Sequence, residues 1–289
     1  MRTIKDLAKL RKLLGAARKS GKNIGFVPTM GYFHEGHLSL MRQAKKDNDI
    51  CVVSIYVNPK QFGPTEDLAA YPRNFKRDSS MARKENVDIL FVPPDNDLYP
   101  HGYLTYIDVE KISGILCGAC RTGHFRGVAT IVAKLLNMVQ PDRMYLGAKD
   151  AQQVAVLRTM VHDLNFPTQI RVMGTVREPD GLAMSSRNVY LTPSERQQAV
   201  ILFQALEAAR QKIRTGEKSA AKVTRLVKDM IAAKTNGRVQ YVACVDLHTL
   251  EPLKRLEGDI LIAVAVFFGK TRLIDNIVLP RHEPRKNKS

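Results

Sequence analysis

The stretch that decides the fold runs from residue 24 to residue 40 and reads IGFVPTMGYFHEGHLSL. Its first four residues are apolar and predict a short buried strand, which ends where Pro28 and Gly31 introduce a turn. A helical pattern begins at the end of the stretch. This order places His34 and His37 at a strand-to-helix turn. Their spacing predicts that both imidazoles share one face of the helix.

A turn of this kind is suited to binding an anion. Backbone N–H groups at the start of a helix have no partner within the helix and favour negative charge. Gly31 and Gly36 allow the backbone to approach a phosphate closely. The chain has seven histidines, so two at one glycine-flanked turn favour a functional pair over two solvent-exposed side chains. The pattern H-x-G-H at this position suggests attack on the α-phosphate of a nucleotide, with AMP or pyrophosphate leaving.

Strand and helix patterns alternate through the first part of the chain. Apolar runs that predict buried strands lie at residues 24–27, 50–57, 88–92, 144–146 and 170–176. Helical patterns lie at residues 4–19, 38–46, 68–86, 128–139 and 150–162. This alternation predicts an α/β fold with a Rossmann-like, doubly wound parallel sheet. Ligands of such sheets bind beyond the carboxyl ends of the strands, which is where the segments with candidate functional residues lie.

The pattern changes after about residue 190. Helices are predicted at residues 193–213 and 219–233, followed by strands at residues 239–247 and 261–268. We therefore predict a nucleotide-binding catalytic domain over residues 1–175 and a smaller α+β domain over residues 176–289. The basic end of the chain, from about residue 281, is rich in Pro, Lys and Asn and predicts a disordered tail.

Composition excludes several classes of protein. No run of about 18 apolar residues occurs, so no membrane span is expected. The first residues are charged and lack the apolar stretch of a signal peptide, which favours a cytoplasmic protein. Cys117 and Cys120 have C-x-x-C spacing, but no second pair of ligands lies nearby for zinc, and free thiols are the better interpretation. The net charge of +17 is spread along the chain, and we expect no nucleic-acid partner.

Two later segments carry side chains suited to a nucleotide. In residues 147–153, Lys149 could reach a phosphate, Asp150 could cap the following helix and Gln153 could bind a hydroxyl or carboxylate. Residues 177–188 combine two serines with Arg187, which suit a triphosphate because serine donates without charge and arginine binds phosphate as a fork. This second loop could equally be a Ser-rich interdomain linker.

Two further segments follow or precede predicted elements. Residues 58–64 place polar amides after the strongest predicted strand, which suits recognition of a small polar substrate. Residues 121–127 precede a helix and could bind an anion. Either could be an ordinary loop. The chain has neither G-x-x-x-x-G-K-[ST] nor G-x-G-x-x-G after a strand, which disfavours P-loop kinases and dinucleotide dehydrogenases.

Taken in order, these segments closely resemble those of pantothenate synthetases, also called pantoate–β-alanine ligases, within the nucleotidylyltransferase superfamily that carries H-x-G-H. The motifs that carry the resemblance are PTMGYFHEGHLSL, VNPKQFGPTEDLAAYPR, RTGHFRGVATIVAKLLNMVQPD, LGAKDAQQ and VREPDGLAMSSRNVYL. The resemblance implies two steps. The carboxylate of pantoate attacks the α-phosphate of ATP, and the amine of β-alanine then attacks the pantoyl adenylate. The products are pantothenate, AMP and pyrophosphate, and Mg²⁺ accompanies the ATP.

The resemblance also implies roles for single residues. His37 is expected to act as a proton donor, with His34 beside the phosphates and Lys149 reaching one of them. The residues expected to bind ATP are Pro28, Thr29, Met30, Gly31, His34, Gly36, His37, Gly147, Lys149, Asp150, Val176, Met184, Ser185, Ser186 and Arg187. The residues expected to bind pantoate or β-alanine are Gln61 and Gln153, with Asn58, Tyr71, Arg121 and His124 as further candidates.

Three positions depart from the family pattern. Phe33 stands where leucine is usual, Thr122 stands where proline is common, and residues 74–78 replace an acidic cluster sometimes linked to magnesium. We therefore assign no protein ligands to Mg²⁺ and expect the ATP phosphates and water to hold it. The resemblance further implies a homodimer, and a C-terminal domain that closes as a lid and protects the adenylate from water.

Two alternatives to the ligase remain open from the sequence. One is a nucleotidylyltransferase that joins a nucleotide to a phosphorylated acceptor and needs no amine. The other is a basic nucleic-acid-binding protein with a degenerate site, whose binding would depend steeply on salt through counterion release.

Overall fold

The computed structural model describes residues 1–64 and 66–281, and the chain forms two compact units. The first unit contains Met1–Ala148 and Val156–Val176. The second contains Lys149–Ala155 and the chain from Arg177 onward. The sequence had assigned residues 149–155 to the N-terminal domain. They belong to the second unit because their contacts lie there, as in the hydrogen bond that Asn276 donates to the carbonyl of Lys149 (2.8 Å). The predicted disordered tail lies outside the described residues, apart from its first position.

The first unit is built on a six-stranded sheet in which every pair of neighbouring strands is parallel. Its strands are β1 (Arg2–Ile4), β2 (Ile24–Thr29), β3 (Ile50–Ile55), β4 (Ile89–Phe91), β5 (Arg143–Gly147) and β6 (Gln169–Met173). Their order across the sheet is β1-β4-β3-β2-β5-β6. The predicted Rossmann-like, doubly wound α/β fold is therefore confirmed. The direction of winding reverses between β2 and β5.

The helices of the first unit are α1 (Leu7–Lys19), α2 (Glu35–Asp47), α3 (Phe75–Lys84), α4 (Asp95–Leu98), α5 (Cys117–Cys120), α6 (His124–Val139) and the greater part of α7 (Ala151–Asp163), whose residues 151–155 belong to the second unit. The central strands are hidden from solvent, as expected for strands with both faces covered, and Phe26, Val27, Val52 and Val53 are each fully buried. All four cysteines of the chain are free thiols.

Two predicted helices begin later than expected. Residues 2–4 form β1, where Thr3 pairs with Leu90 of β4. The helix starts only after Asp6, whose side chain caps it by accepting from the N–H of Lys9. The helix predicted over residues 68–86 is limited to α3. Pro72 disfavours helical backbone at the residue before it, and the side chain of Asn74 caps the helix by accepting from the N–H of Arg77 (3.0 Å).

The second unit packs helices against an antiparallel sheet. Its helices are α8 (Pro193–Ala199), α9 (Ile201–Arg214) and α10 (Ala220–Lys234), and its strands are β7 (Arg238–Asp246), β8 (Ile260–Phe268) and β9 (Thr271–Leu279). This confirms the smaller α+β part of the predicted fold. The sequence missed β9, because Arg272, Asp275 and Asn276 interrupt its apolar pattern. No helix among the described residues is both long and apolar enough to span a membrane.

A buried ion pair ties β9 to the segment that enters the second unit. The guanidinium of Arg177 donates through two nitrogens to Asp275, at 2.6 and 2.9 Å, and also to the carbonyl of Gly181 at 3.1 Å. The same guanidinium lies 4.6 Å from the centre of the Phe203 ring. Gly181 has a φ of +95°, and a Cβ there would overlap Phe203. These contacts fix the start of the loop that leads to Ser185.

We expect Asp275→Asn to lower the free energy of unfolding by about 3 kcal/mol, because a half-buried guanidinium loses its carboxylate partner. Urea unfolding followed by far-UV circular dichroism measures the change. Asp229→Asn is the matched control, since Asp229 pairs with Arg225 on an exposed helix surface at 3.8 Å and such a pair is worth about 0.5 kcal/mol or less. Equal unfolding midpoints for the two variants would show that the Arg177 pair does not stabilise this unit.

Candidate active site

The turn after β2 lies where the winding of the sheet reverses. β2 has β3 on one side and β5 on the other, and a crevice at such a reversal is where open α/β sheets bind ligands. The hydroxyl of Thr29 donates to the carbonyl of Ser54 (2.6 Å) and accepts from the N–H of Gly31 (3.2 Å). The first residues of the turn are thereby fixed to the end of β3.

A buried carboxylate holds the next part of the turn. Asp78, which is 1% exposed, accepts hydrogen bonds from the N–H groups of Tyr32 (2.7 Å) and Phe33 (2.8 Å). Gly31 and Tyr32 both have positive φ, +84° and +50°, and a Cβ at Gly31 would lie 3.0 Å from Asp78 Oδ2. Sequence reasoning missed this role for Asp78. The only available signal was an acidic residue within an otherwise basic stretch.

The two histidines meet at the start of α2. α2 begins at Glu35, and His34 is its N-cap in an extended conformation (φ −136°). His34 therefore lies just before the helix, not within it. The two imidazoles are nevertheless adjacent, as the spacing predicts, with ring centroids 4.2 Å apart and planes at 42°. Residues that cap a helix have non-helical backbone, which lets the side chain of His34 fold back over the first turn.

Backbone hydrogen bonds define the tautomers of the neutral imidazoles. Nδ1 of His34 accepts from the N–H of Gly36 (3.2 Å), and Nδ1 of His37 accepts from the N–H of His34 (3.4 Å). A ring nitrogen that accepts cannot carry the proton, so in each neutral ring the proton is on Nε2. Both histidines thus have an Nε2–H that can donate to an anion. Gly36 permits this arrangement, since a Cβ there would lie 2.9 Å from His34 Nδ1.

The polar residues after β3 lie beside this turn. Pro59–Gln61 form a 3₁₀ turn capped by Asn58, which is 1% exposed. The amide of Asn58 donates to Gln61 Oε1 (3.2 Å) and to the carbonyl of Gly127 (3.1 Å), and its oxygen accepts from the hydroxyl of Tyr99 (2.9 Å). Gln61 Nε2 lies 3.1 Å from the sulfur of Met30. The predicted residues Met30, Asn58 and Gln61 are therefore neighbours in the structure.

Arg121 and His124 also reach Gln61, but through its backbone. Arg121 pairs with Glu66 and contacts His124, whose Nδ1 lies 2.8 Å from the carbonyl of Gln61. Burial alone raises the pKa of Glu66, but the hydrogen bonds and charge of Arg121 outweigh it and hold that pKa below its ordinary value. Tyr71 is 5% exposed, and its ring meets that of Phe62 edge to face at 5.8 Å.

Gly147 and Val176 complete the predicted residues of the first unit. Gly147 ends β5, where it pairs with Met173 of β6. Val176 follows β6 and is the last residue of the first unit.

The remaining predicted residues belong to the second unit. Lys149 and Asp150 lie in a 3₁₀ turn directly before α7, Gln153 lies in the first turn of α7, and all three are half-buried. Met184 to Arg187 are also half-buried. The hydroxyl of Ser185 accepts from the N–H of Arg187 (3.3 Å) and caps a 3₁₀ turn over Ser186–Tyr190.

The described residues contain no group of three or more His, Cys, Asp and Glu side chains that could hold a metal ion. Both oxygens of Asp78, the acidic residue closest in sequence to the family's magnesium-linked cluster, accept backbone hydrogen bonds. The N–H donors around the turn suit an anionic group such as a phosphate.

Comparison with known sequences identifies close relatives. The chain is 52% identical over 279 residues to the pantothenate synthetase of Moorella thermoacetica, a match that covers 96% of this chain and 99% of the relative. It is 50% identical, with the same coverage, to the pantothenate synthetase of Caldicellulosiruptor bescii. The resemblance inferred from the motifs is confirmed.

Solved structures agree with these relatives. A pantothenate synthetase from Thermus thermophilus superposes with a TM-score of 0.91 at 44% identity, covering 96% of this chain and 99% of that one. A pantoate–β-alanine ligase from Francisella tularensis, solved in complex with β-γ ATP and β-alanine, superposes with a TM-score of 0.78 at 34% identity, covering 96% and 97%. The sequence model of pantoate–β-alanine ligases matches residues 2–278, and the chain therefore belongs to the pantoate–β-alanine ligase family.

Proposed function

We propose that this chain condenses pantoate with β-alanine in a reaction driven by cleavage of ATP to AMP and pyrophosphate. The observation that carries the proposal is the pair of Nε2–H donors on His34 and His37, set at the winding reversal of the sheet. They end the turn that contains Met30, whose sulfur contacts Gln61. Family membership supports an AMP-forming ligase. The Francisella tularensis relative, which was solved with a nucleotide and β-alanine, supports the same substrates here.

The imidazoles are proposed to act on the first step. Attack of the pantoate carboxylate increases the negative charge on the α-phosphate and on the departing pyrophosphate. Preorganised N–H donors stabilise such charge, and one donor is typically worth about 3 kcal/mol. His37 is the proposed proton donor to the leaving group, with His34 as a second donor to the phosphates and Lys149 as a cation for one of them.

The remaining contacts follow the family pattern. ATP is proposed to enter as its magnesium complex, with the metal held by phosphates and water. The proposed ATP-binding residues besides these three are Pro28, Thr29, Met30, Gly31, Gly36, Gly147, Asp150, Val176, Met184, Ser185, Ser186 and Arg187. Gln61 and Gln153 are proposed to bind pantoate, with β-alanine near Gln61 and with Asn58 and Tyr71 shaping the same site.

Two properties of the whole protein are also proposed. The first is a cytoplasmic location, which its substrate ATP and its four free thiols support. The second is a homodimer, which rests on the family resemblance.

The ligase proposal predicts pantoate-dependent exchange of labelled pyrophosphate into ATP in the absence of β-alanine. Adding β-alanine should then release AMP and pantothenate in equal amounts. The release of AMP on addition of β-alanine separates the ligase from a nucleotidylyltransferase, which has no amine-dependent step. An exchange rate that does not depend on pantoate would contradict the proposal.

His37→Ala is expected to slow this exchange by a factor of about 10² to 10³, because one donor to the developing charge is lost. His162→Ala is the matched control, since that imidazole is 88% exposed and pairs only with its neighbour Asp163 among the contacts described. The fold of both variants is checked by circular dichroism. Wild-type exchange in a folded His37→Ala variant would remove this imidazole from the mechanism.

Gly36→Ala tests whether the contact between the two rings matters. The new Cβ would lie 2.9 Å from two atoms of the His34 ring, so the ring must turn, and we expect kcat to fall by about tenfold or more. Gly15→Ala is the control, because Gly15 lies within α1 with no atom within 4 Å of the added Cβ. Steady-state assays of both variants measure the difference. Equal kcat values would show that the position of the His34 ring is unimportant.

The homodimer proposal predicts a mass near twice the 32.4 kDa of one chain in sedimentation velocity at micromolar concentration. A single species with the mass of one chain would refute it.

A further inference from the structure

The guanidinium of Arg121 is engaged by other protein groups. Its Nε donates to Glu66 Oε1 at 2.7 Å, and Nη2 donates to Glu66 Oε2 at 2.6 Å, which is a two-pronged pair. Its Nη1 lies 2.9 Å from Nε2 of His124. The side chains are 13% exposed for Arg121 and 21% for Glu66. Such a shielded, doubly bonded pair is well ordered and balances its own charge.

This contact determines the tautomer of His124. Arginine can only donate, so Nε2 of His124 must accept and cannot carry a proton. On the other side of the ring, Nδ1 lies 2.8 Å from the carbonyl oxygen of Gln61, which can only accept. Nδ1 therefore carries the proton and donates it. One tautomer of the imidazole therefore satisfies both contacts, and both ring nitrogens are occupied.

The chain of contacts ends on the residue proposed to bind substrate. Gln61 is 9% exposed, and its side-chain amide is held separately by Asn58. Its backbone carbonyl accepts from His124, and Nη2 of Arg121 lies 3.5 Å from the same oxygen. The 3₁₀ turn that carries Gln61 also packs closely on α6. A Cβ added to Gly127 of that helix would overlap the carbonyl of Lys60 in the turn. Backbone and side chain are thus fixed by different partners.

We propose that Glu66, Arg121 and His124 form a positioning relay that holds Gln61 for the carboxylic-acid substrate, with Glu66 as the residue that orients the other two. The proposal rests on the proposed function, since it assumes that Gln61 contacts pantoate. It changes the expectation for Arg121 and His124 from direct substrate contact to support of the residue that makes it. Glu66 was not among the residues singled out from the sequence.

Charge distinguishes this relay from direct binding. If Arg121 bound the pantoate carboxylate itself, Glu66 would compete with the substrate, and its removal would strengthen binding. In the relay, removal of Glu66 frees Arg121 to rotate, His124 loses the donor that fixes its tautomer, and Gln61 loses its orientation. The two models therefore predict KM changes of opposite sign.

The experiment compares Glu66→Gln with the wild-type full-length enzyme. We expect KM for pantoate to rise by about tenfold or more, because small displacements of a substrate-contacting group are costly. KM for ATP should change by less than about twofold. ¹⁵N NMR of the imidazoles should show His124 moving from a single Nδ1–H tautomer to a mixture. Glu257→Gln is the control, since that carboxylate forms an exposed pair with Arg255.

A lower or unchanged KM for pantoate, or an unchanged His124 tautomer, would overturn the relay. Should Glu66→Gln fail to fold, Glu66→Asp keeps the charge but shortens the reach to Arg121. For Glu66→Asp, the relay predicts a rise in KM for pantoate that is smaller than the tenfold expected of Glu66→Gln. It also predicts a partial loss of the Nδ1–H tautomer signal of His124. The NMR measurement needs no substrate, so its result stands even if pantoate-dependent exchange fails in the wild type and the proposed function is wrong.

Discussion

The candidate site depends on how the backbone N–H groups after β2 are satisfied. A strand that enters a helix through a turn exposes donors that no regular element can pair. Asp78 accepts two of them, from Tyr32 and Phe33. The Nδ1 atoms of His34 and His37 accept two more, from Gly36 and His34 respectively. Because each Nδ1 accepts a hydrogen bond, the proton of each neutral ring is on Nε2, which can only donate. Structure and chemistry at this turn are therefore set by the same hydrogen bonds.

Local signals in the sequence were sufficient for much of this arrangement. Apolar runs and helical spacing identified the parallel sheet, and the glycine-flanked histidines identified the turn. The contacts that were missed join residues far apart in sequence. Asp78 lies 46 residues from Tyr32, Glu66 lies 55 residues from Arg121, and Asp275 lies 98 residues from Arg177. No pattern of neighbouring residues encodes such pairs, so an acidic partner of this kind cannot be distinguished from a solvated one in advance.

The position of His34 just outside the helix could not be read from the spacing either. A spacing of three residues places side chains on one face only if both residues are helical. His34 precedes the helix, and the capping role of its own side chain is what starts α2 one residue later. The H-x-G-H motif singled out the two histidines but carried no information about ring orientation. Likewise, the family resemblance associated Arg121 and His124 with substrate, whereas their contacts in the structure lead first to Glu66 and to the backbone of Gln61.

The division of the chain into units has a consequence for dissecting the protein. Lys149–Ala155 belong to the second unit although the residues on both sides of them belong to the first. The polypeptide therefore crosses between the units at three places. A fragment truncated near residue 176 would retain Lys149 but lack Asn276, which bonds its carbonyl. Neither half can be expressed as an autonomous module by a single cut, and exchanging domains between homologous enzymes would require transplanting the short insertion along with the C-terminal portion.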